Sequence, residues 1–379
     1  MAARSVDIVA SGPPSSDLYD PAAPAWALAT GLAARGHSVQ VIFPGPADTR
    51  PPAEGVTVAP FSPVTPHLGT PAGDAELTRA AVHHLRPQAE AIVRDPSGLG
   101  AIGLRRGRRP VVSFVRSLSI DQAAGGSDSP APGGLAGKLA FWGARRGARR
   151  LERDSLLEAS AICCETVPQR DRLVQDYRVA PERVRVAPPA VARGPAVPTR
   201  EAARRKLSVP DDVLLAILLP PVDPAAGAAA NPALEAFRRT RPIFPGARLG
   251  VVGLPGVTGP GVLAVPSRDA DAVAVAAAAA DVAVSFAPGT SLDPGLVVAL
   301  RAGVPSVVAA SLDLGAGAES AVRRAPTTDS AELASVLAEL FADPEVRRTM
   351  AESARSFAQR FEPEHLAAEL EATGALGAA

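Results

Sequence analysis

The stretch GLAARGHSV, residues 31–39, ends a helix and begins a strand with almost no loop between them. Gly36 suits the left-handed backbone that stops a helix, and Ser38 opens the β-branched run that follows. A strand-like run at residues 6–10 and a helical pattern at residues 24–35 precede it. These signals predict a strand–helix–strand unit, the building block of a parallel sheet.

The same alternation continues in two series, separated by a Pro- and Gly-broken stretch at residues 188–195. The first series continues with a helix over 75–94 and a strand over 110–115. The second is predicted to contain strands over 213–219, 247–253, 282–286 and 305–309, with helices over 232–241, 271–280, 295–302, 331–342 and 344–361. A length of 379 residues also favours two domains over one. We therefore predict two Rossmann-like halves, each with a doubly wound parallel sheet.

Composition excludes several classes of protein. Lys plus Arg and Asp plus Glu each number 39, so no net charge favours nucleic acid as a partner. The only two cysteines, Cys163 and Cys164, adjoin in an apolar run, which predicts buried strand residues in a reducing compartment. No basic segment leads into a long apolar one near Met1, and the alanine-rich run at 274–280 is too short to cross a bilayer. We expect a cytoplasmic protein.

Motifs for phosphate loops, dinucleotides and metals are missing or incomplete. No Gly-x4-Gly-Lys-Ser/Thr loop occurs, and the run at 315–320 lacks the third glycine of a dinucleotide fingerprint. No His-Glu-x-x-His or comparable spacing occurs, and the adjacent His83 and His84 are more typical of a solvated pair than of ligands. We expect neither a metal nor a cofactor.

Residues 31–39 resemble the L-A-x-R-G-H-x-V signature that opens many family-4 glycosyltransferases of the GT-B fold. Further strings resemble the same family and occur in its order: RDRL at 170–173, PERVRV at 181–186, LEAF at 234–237, GARLGVVG at 246–253, ADV at 280–282, AGVP at 302–305 and ADPEVRR at 342–348. The resemblance implies an α/β protein with two Rossmann-like, doubly wound domains that face each other across a cleft.

The resemblance also implies domain roles and a reaction. Residues 1–190 would form the acceptor-side domain and residues 191–360 the nucleotide-sugar-side domain, with a C-terminal helix in 361–379 expected to pack back on the first domain. The reaction would be hexosyl transfer from a nucleotide-sugar, a substrate rather than a cofactor, to an acceptor. Such transfer leaves a nucleoside diphosphate whose negative charge must be stabilised.

The family's donor-site residues are largely replaced in this chain. The positions of its Glu-x7-Glu pair hold Thr290 and Val298, and residues 220–227 lack the Arg and Lys expected for the diphosphate. Lys138 and Lys206 are the only lysines, so no shift of alignment supplies that lysine. Two functions stay open: an active glycosyltransferase with an unusual donor site, or a catalytically inactive homologue that serves as a binding or activating subunit of a catalytic glycosyltransferase.

Candidate donor-binding residues lie in three turns after strands of the second half. The hydroxyls and backbone amides of the loop at 288–295 could hold a phosphate at the following helix start. The alternative is ordinary helix capping with Asp293 as N-cap and Pro294 at the first helical position, and we favour it because Asp293 would repel a phosphate. The candidates are Gly253, Thr290, Ser291, Asp293, Gly295, Gly315 and Glu319.

Candidate acceptor-side residues lie in the first half. Asp17, Tyr19 and Asp20 occupy the loop after the first strand, where an acceptor would meet the cleft. Arg116, at the end of a strand, replaces a family histidine and could anchor an anion. Asp20 and Arg116 are the candidates for catalysis, and ordinary turn chemistry or a solvated arginine is the alternative for each.

A basic amphipathic helix is predicted near residues 138–160. Its arginines are Arg145, Arg146, Arg149, Arg150 and Arg153. With Phe141 and Trp142 it could rest on an anionic membrane. A core-packed helix with a solvated face, carrying Glu152 and Asp154 among the arginines, is the alternative that composition favours.

Overall fold

The computed structural model describes residues 3–20, 22–62, 80–94, 110–115, 146–147, 149–150, 152–187, 190–192, 196–219, 231–254, 256–285, 292–326, 329–372, 374 and 376. The chain divides into two compact units. The first unit comprises Met1–Ser15, Pro21–Ala192 and Glu362–Ala379, and the second comprises Ser16–Asp20 and Arg193–Phe361.

The first unit is built on a seven-stranded parallel sheet in the order β3-β2-β1-β4-β5-β6-β7. Its strands are β1 Ser5–Val9, β2 Ser38–Pro44, β3 Val56–Phe61, β4 Ala91–Arg94, β5 Val111–Val115, β6 Ala161–Cys164 and β7 Val184–Val186. Helices α1 Ala23–Ala34 and α2 Val167–Gln175 connect them. Gly36, at φ 87°, follows α1, and Ser38 pairs with Ser5, as the sequence predicted.

One predicted helix of this unit is wrong. Residues 75–94 were expected to be helical, but Ala91–Arg94 is β4, which pairs with both β1 and β5. A central strand of a parallel sheet is buried on both faces, so its sequence is a short apolar run without alternating polar residues. The end of an amphipathic helix can contain the same short apolar run, so the sequence alone did not distinguish the two.

The second unit contains a six-stranded parallel sheet in the order β10-β9-β8-β11-β12-β13. Its strands are β8 Leu215–Leu218, β9 Arg248–Val252, β10 Val262–Val265, β11 Val282–Ser285, β12 Ser306–Ala309 and β13 Val322–Ala325. Its helices are α3 Arg200–Lys206, α4 Asn231–Thr240, α5 Ala270–Ala279, α6 Pro294–Ala302, α7 Ser330–Ala342 and α8 Pro344–Ala358. Both sheets have the doubly wound order of Rossmann-like folds, which confirms the predicted fold class.

Three strands in the two sheets were not predicted. They are β3, β10 and β13, and each lies at the edge of its sheet. An edge strand is covered less completely than a central one, so its sequence need not be a continuous apolar run. The strands β10 and β13 illustrate this weak signal, since three of the four β10 residues and two of the four β13 residues are not buried.

The last helix, α9 Pro363–Ala372, belongs to the first unit and packs on α1. Gly31 makes the close approach, since a Cβ there would lie 2.2 Å from the Pro363 carbonyl oxygen. Glu371 accepts hydrogen bonds from Arg35 Nε at 2.9 Å and from the His37 ring at 2.5 Å. The Arg35 bonds are the main cause that lowers the pKa of Glu371 to about 2.

A buried arginine–carboxylate pair stabilises each unit. In the first, Asp7 on β1 accepts from Arg86 Nε at 2.6 Å. In the second, Arg204 on α3, 1% exposed, donates to Asp281 at 2.8 Å and to four backbone carbonyls. Cys163 and Cys164 are buried in β6 as predicted, and burial raises the pKa of each thiol to about 12.

Within the described part of the chain, no helix is long and apolar enough to span a bilayer. The same residues include no group of three or more His, Cys, Asp or Glu side chains that could hold a metal ion.

Candidate functional site

The candidate site of the second unit lies where its strand order reverses, between β8 and β11. In open α/β sheets, ligands bind outside the carboxyl ends of the strands at such a point. Here those ends are Leu218 and Ser285, and helix α6 begins nearby at Pro294. We call this region the donor edge. The predicted donor residues Thr290 and Ser291 lie outside the described residues.

Asp293 lies at the start of α6, where its side chain accepts three hydrogen bonds. Its carboxylate accepts a hydrogen bond from the Gly295 N–H at 2.8 Å, from Ser285 Oγ at 2.5 Å and from the Tyr19 hydroxyl at 3.1 Å. The side chain is 1% exposed, and burial raises the pKa of this carboxyl above its ordinary value. Asp293 is therefore the N-cap, with Pro294 in the first turn, as the capping interpretation predicted.

The segment Ser16–Asp20 supplies Tyr19 to this site. The Ser16 carbonyl accepts the Ala270 N–H at 3.0 Å, and Asp17 forms an isolated antiparallel bridge with Asp269. Arg268 Nη2 lies 2.9 Å from Asp17 Oδ2, and the Arg268 guanidinium lies 5.2 Å from the centre of the Tyr19 ring. These contacts fix the segment at the donor edge.

The Tyr19 hydroxyl is enclosed, since the residue is 3% exposed. Burial is the largest cause that raises the pKa of Tyr19 well above its ordinary value, and the neighbouring Asp293 adds to it. The hydroxyl therefore stays protonated and donates to Asp293. Gly295 makes room for it, because a Cβ at that position would lie 2.2 Å from the Tyr19 oxygen.

Asp17, Tyr19 and Asp20 were predicted as acceptor-side residues. The structure places all three in the second unit, where Tyr19 bonds to Asp293 at the donor edge and Asp17 bonds to Arg268, just before α5. The Asp20 N–H donates to the Asp17 carbonyl, which is turn chemistry. Their role towards an acceptor stays a prediction, as does that of Arg116, which lies outside the described residues.

The remaining predicted donor residues lie in other turns at the ends of strands. Gly253 follows β9 in the left-handed conformation, and its N–H donates to the Val265 carbonyl. Gly315, also left-handed, follows β12, and Arg360 Nη1 donates to the carbonyls on either side of it, at 3.3 Å each. Glu319 is exposed in a short 3-10 turn, Ala318–Ser320. Their contact with a donor stays a prediction.

Sequence reasoning missed Ser285 and Arg268 and did not link Tyr19 to Asp293. Ser285 could have been found, because it ends a strand beside the point where the strand order reverses. Arg268 gave no signal, since its partner Asp17 lies 251 positions away in the chain. Val298, predicted to stand at the position of the second carboxylate of family-4 glycosyltransferases, is buried in α6.

The corresponding edge of the first unit differs in its chemistry. A pocket opens among the carboxyl-terminal halves of its central strands, the first turns of α1, and α9. Its lining is mostly apolar and includes Ile8, Leu28, Val93, Phe114, Cys163 and Leu366. Glu165 is the carboxylate among the lining residues. We call this region the apolar edge.

Residues 25–193 match the family model described as Glycosyltransferase Family 4. No curated protein matches the chain. Among solved structures, sucrose-phosphate synthase from Thermosynechococcus elongatus is similar at 17% identity and a TM-score of 0.71, over 97% of this chain and 98% of that one.

Two further structures are similar over nearly the whole length. WaaG, a glycosyltransferase involved in lipopolysaccharide biosynthesis, has 18% identity and a TM-score of 0.69, over 99% of this chain and 100% of that one. Anabaena HepE, in complex with UDP and glucose, has 16% identity and a TM-score of 0.69, over 98% and 99%. At these identities the structures establish the fold.

Proposed function

Since this chain has the GT-B glycosyltransferase fold and its residues 25–193 are of the family-4 type, we propose that it transfers a sugar from a nucleotide-sugar to an acceptor. The observation that carries the proposal is the agreement of fold and family match with a polar donor edge at the strand-order reversal of the second unit. HepE, a structural relative, was solved with UDP-glucose, which makes uridine nucleotides the first donors to test.

The reaction needs groups that stabilise the departing nucleoside diphosphate. Arginine can supply this charge, because its guanidinium donates two parallel hydrogen bonds to a phosphate. Among the described residues, Arg360 lies beside the predicted donor residue Gly315, and Arg268 lies over the ring of Tyr19, which contacts the predicted donor residue Asp293. The donor's charge would thus be met by arginines and backbone amides rather than by a lysine. The substrate is the nucleotide-sugar itself, and the proposal includes no further cofactor.

Calorimetric titration with UDP, UDP-glucose and a panel of other nucleotide-sugars tests this proposal. We expect saturable heat with at least one of them, and product formation once an acceptor is supplied. Glu319→Gln should weaken binding of the nucleotide-sugar about tenfold if the Glu319 carboxylate accepts a hydrogen bond from a sugar hydroxyl, because a neutral amide oxygen is a weaker acceptor than a carboxylate. Glu345→Gln, a similarly exposed change on α8, is the control and should leave binding unchanged.

A panel without detectable heat would contradict the proposal and favour the second candidate, a subunit of a catalytic glycosyltransferase. Co-purification with an active glycosyltransferase would then be the expected observation.

The proposal extends to a cytoplasmic location with peripheral membrane contact through the basic helix near 138–160. Arg146, Arg149 and Arg150 are exposed, which fits both this contact and a solvated helix face. Sedimentation with anionic vesicles, compared with neutral phosphatidylcholine vesicles, distinguishes membrane contact from a solvated helix face. Binding to anionic vesicles that high salt abolishes is expected for the membrane contact.

A further inference from the structure

The pocket at the apolar edge lies where the strand order of the first sheet reverses. The reversal falls between β1 and β4, and the next-to-last residues of these two strands, Ile8 and Val93, both line the pocket. In open α/β sheets, ligands bind at the carboxyl ends of the strands at such a point. The pocket therefore occupies the place in the first unit that is best suited to a ligand.

Small side chains leave this space unfilled. Ala25 on α1 and Ala187 and Ala190 after β7 line the pocket, together with the larger Leu28 and Leu366. Protein cores are packed as densely as organic crystals, and an unfilled apolar space deprives its lining of contacts. Such a space at the position where the fold can hold a ligand is therefore a candidate binding site.

The lining favours an apolar group with an uncharged head. Apart from Glu165 and the two cysteines, the lining residues are aliphatic or aromatic, and none of those described is an Arg, Lys or His that could bind a phosphate or carboxylate. Burial raises the pKa of the Cys163 and Cys164 thiols to about 12, so both are neutral. Glu165 is 9% exposed, and its carboxylate would oppose an anion nearby.

The size of the pocket selects among apolar groups. Its enclosed part is small, a little more than one water molecule needs. Pro24 and Phe114 are the partly exposed lining residues and mark its mouth, whereas Ile8, Leu28 and Leu366 are at most 2% exposed. A ring system is too wide for this space, but the end of an unbranched alkyl chain is only one methylene wide.

We propose that the apolar edge binds the end of an unbranched alkyl chain of the acceptor, which is then a neutral, hydroxyl-bearing compound with an alkyl part. The acceptor role rests on the proposed function, whereas binding of the chain does not depend on it. In the transfer, the acceptor hydroxyl oxygen bonds to the anomeric carbon of the sugar. The nucleoside diphosphate leaves with the electron pair of the broken bond, and the hydroxyl proton passes to it or to water.

The test is calorimetric binding of methyl, butyl, hexyl and octyl β-glucoside to the full chain, below micelle concentrations and without nucleotide. Moving one methylene from water into apolar surroundings strengthens binding about fourfold. We expect the affinity to rise by about this factor for each of the first few methylenes and then to level off, because the enclosed space is small. Octyl phosphate, with the same chain and an anionic head, should bind about tenfold more weakly than octyl glucoside.

Two variants change the size of the pocket in opposite directions. Ala25→Leu fills it from α1, so the affinity for octyl glucoside should fall about tenfold or more. Ala34→Leu is the matched control, because Ala34 is exposed at the end of the same helix, and it should bind as the wild type does. Leu28→Val removes one methylene from the lining, so the affinity should level off at a chain about one carbon longer.

Equal affinities for methyl and octyl glucoside, or an octyl affinity that Ala25→Leu leaves unchanged, would overturn the inference and leave the proposed function standing. Should Ala25→Leu not fold, an unshifted chain-length profile in Leu28→Val overturns it. With a donor that binds, equal kcat/KM for transfer to methyl and octyl glucoside would also overturn the acceptor role. A nucleotide-sugar panel without heat contradicts the proposed function, and the acceptor role with it, whereas binding that depends on chain length still supports the alkyl site.

Discussion

The two units share a topology and differ in what fills its functional edge. Each sheet reverses its strand order beside its first strand, β1 in one and β8 in the other. The apolar edge of the first unit is a pocket lined mostly by apolar side chains, with Glu165 among them, whereas the described residues of the donor edge include a cluster of hydrogen-bonded polar groups. The two units thus show that one topology can carry different side-chain chemistry at the same edge of its sheet.

Both units contain a buried arginine–aspartate pair. The largest expected effect comes from removing the arginine of the pair in the second unit. Arg204→Met removes the Arg204 hydrogen bonds to four carbonyls and to Asp281, which keeps bonds from Arg200 and the Leu215 N–H, so we expect the second unit to lose about 3 kcal/mol of unfolding free energy. Amide exchange in β8 should accelerate while that in β1 stays unchanged.

Arg205→Met is the control for this variant. Arg205 is the next residue on α3 and is 74% exposed, with a weak pair to Glu201 at 3.8 Å. We expect a change within about 0.5 kcal/mol. Equal acceleration of β1 and β8 exchange by Arg204→Met would show that the two units unfold as one.

The next prediction concerns α9, which belongs to the first unit alone. The pKa of Glu371 is about 2, below its ordinary value of 4.5, so the ionised carboxylate stabilises the fold above about pH 4.5. That contribution is lost as the pH falls towards 2. Glu371→Gln should therefore cost on the order of 2 kcal/mol at pH 7 and almost nothing near pH 2, measured by urea denaturation.

Glu369→Gln, on the same helix, controls for the loss of a charge, because Glu369 is partly exposed and pairs only loosely with His365 at 3.5 Å. It should change stability little at any pH. A cost for Glu371→Gln that did not vary with pH would contradict the ion-pair explanation.

The smallest expected effect sharpens the comparison between two helix starts of the second unit. Asp293-Pro294 begins α6 and Asp343-Pro344 begins α8, and each aspartate caps its helix. Asp343→Ala should cost about 1 kcal/mol, the usual value of an N-cap. Asp293→Ala should cost about 2 kcal/mol, because the buried hydroxyls of Ser285 and Tyr19 also lose their acceptor. Thermal denaturation of both variants measures the difference, and equal costs would show that the buried hydroxyls find other acceptors.

Several features were predictable because their causes are local. Gly36 ends α1, Asp293 caps α6, and Cys163 and Cys164 lie buried in a strand, and each is apparent from a few neighbouring residues. The central strand β4 and the edge strands β3, β10 and β13 were missed or misread. Their identity depends on which neighbours cover them, and local periodicity does not record that.

The sequence by itself determined the two-unit α/β fold, since helix stops, caps and apolar strands are encoded within short windows. It also showed that Lys138 and Lys206 are the only lysines, and the resemblance to family-4 glycosyltransferases predicts that Thr290 and Val298 stand at that family's carboxylate positions. Only the tertiary structure decided that Tyr19 bonds to Asp293, 274 positions away. The physical reason is that Ser16–Asp20 packs in the second unit although the chain on both sides of it belongs to the first, and no local sequence pattern records such a long-range contact.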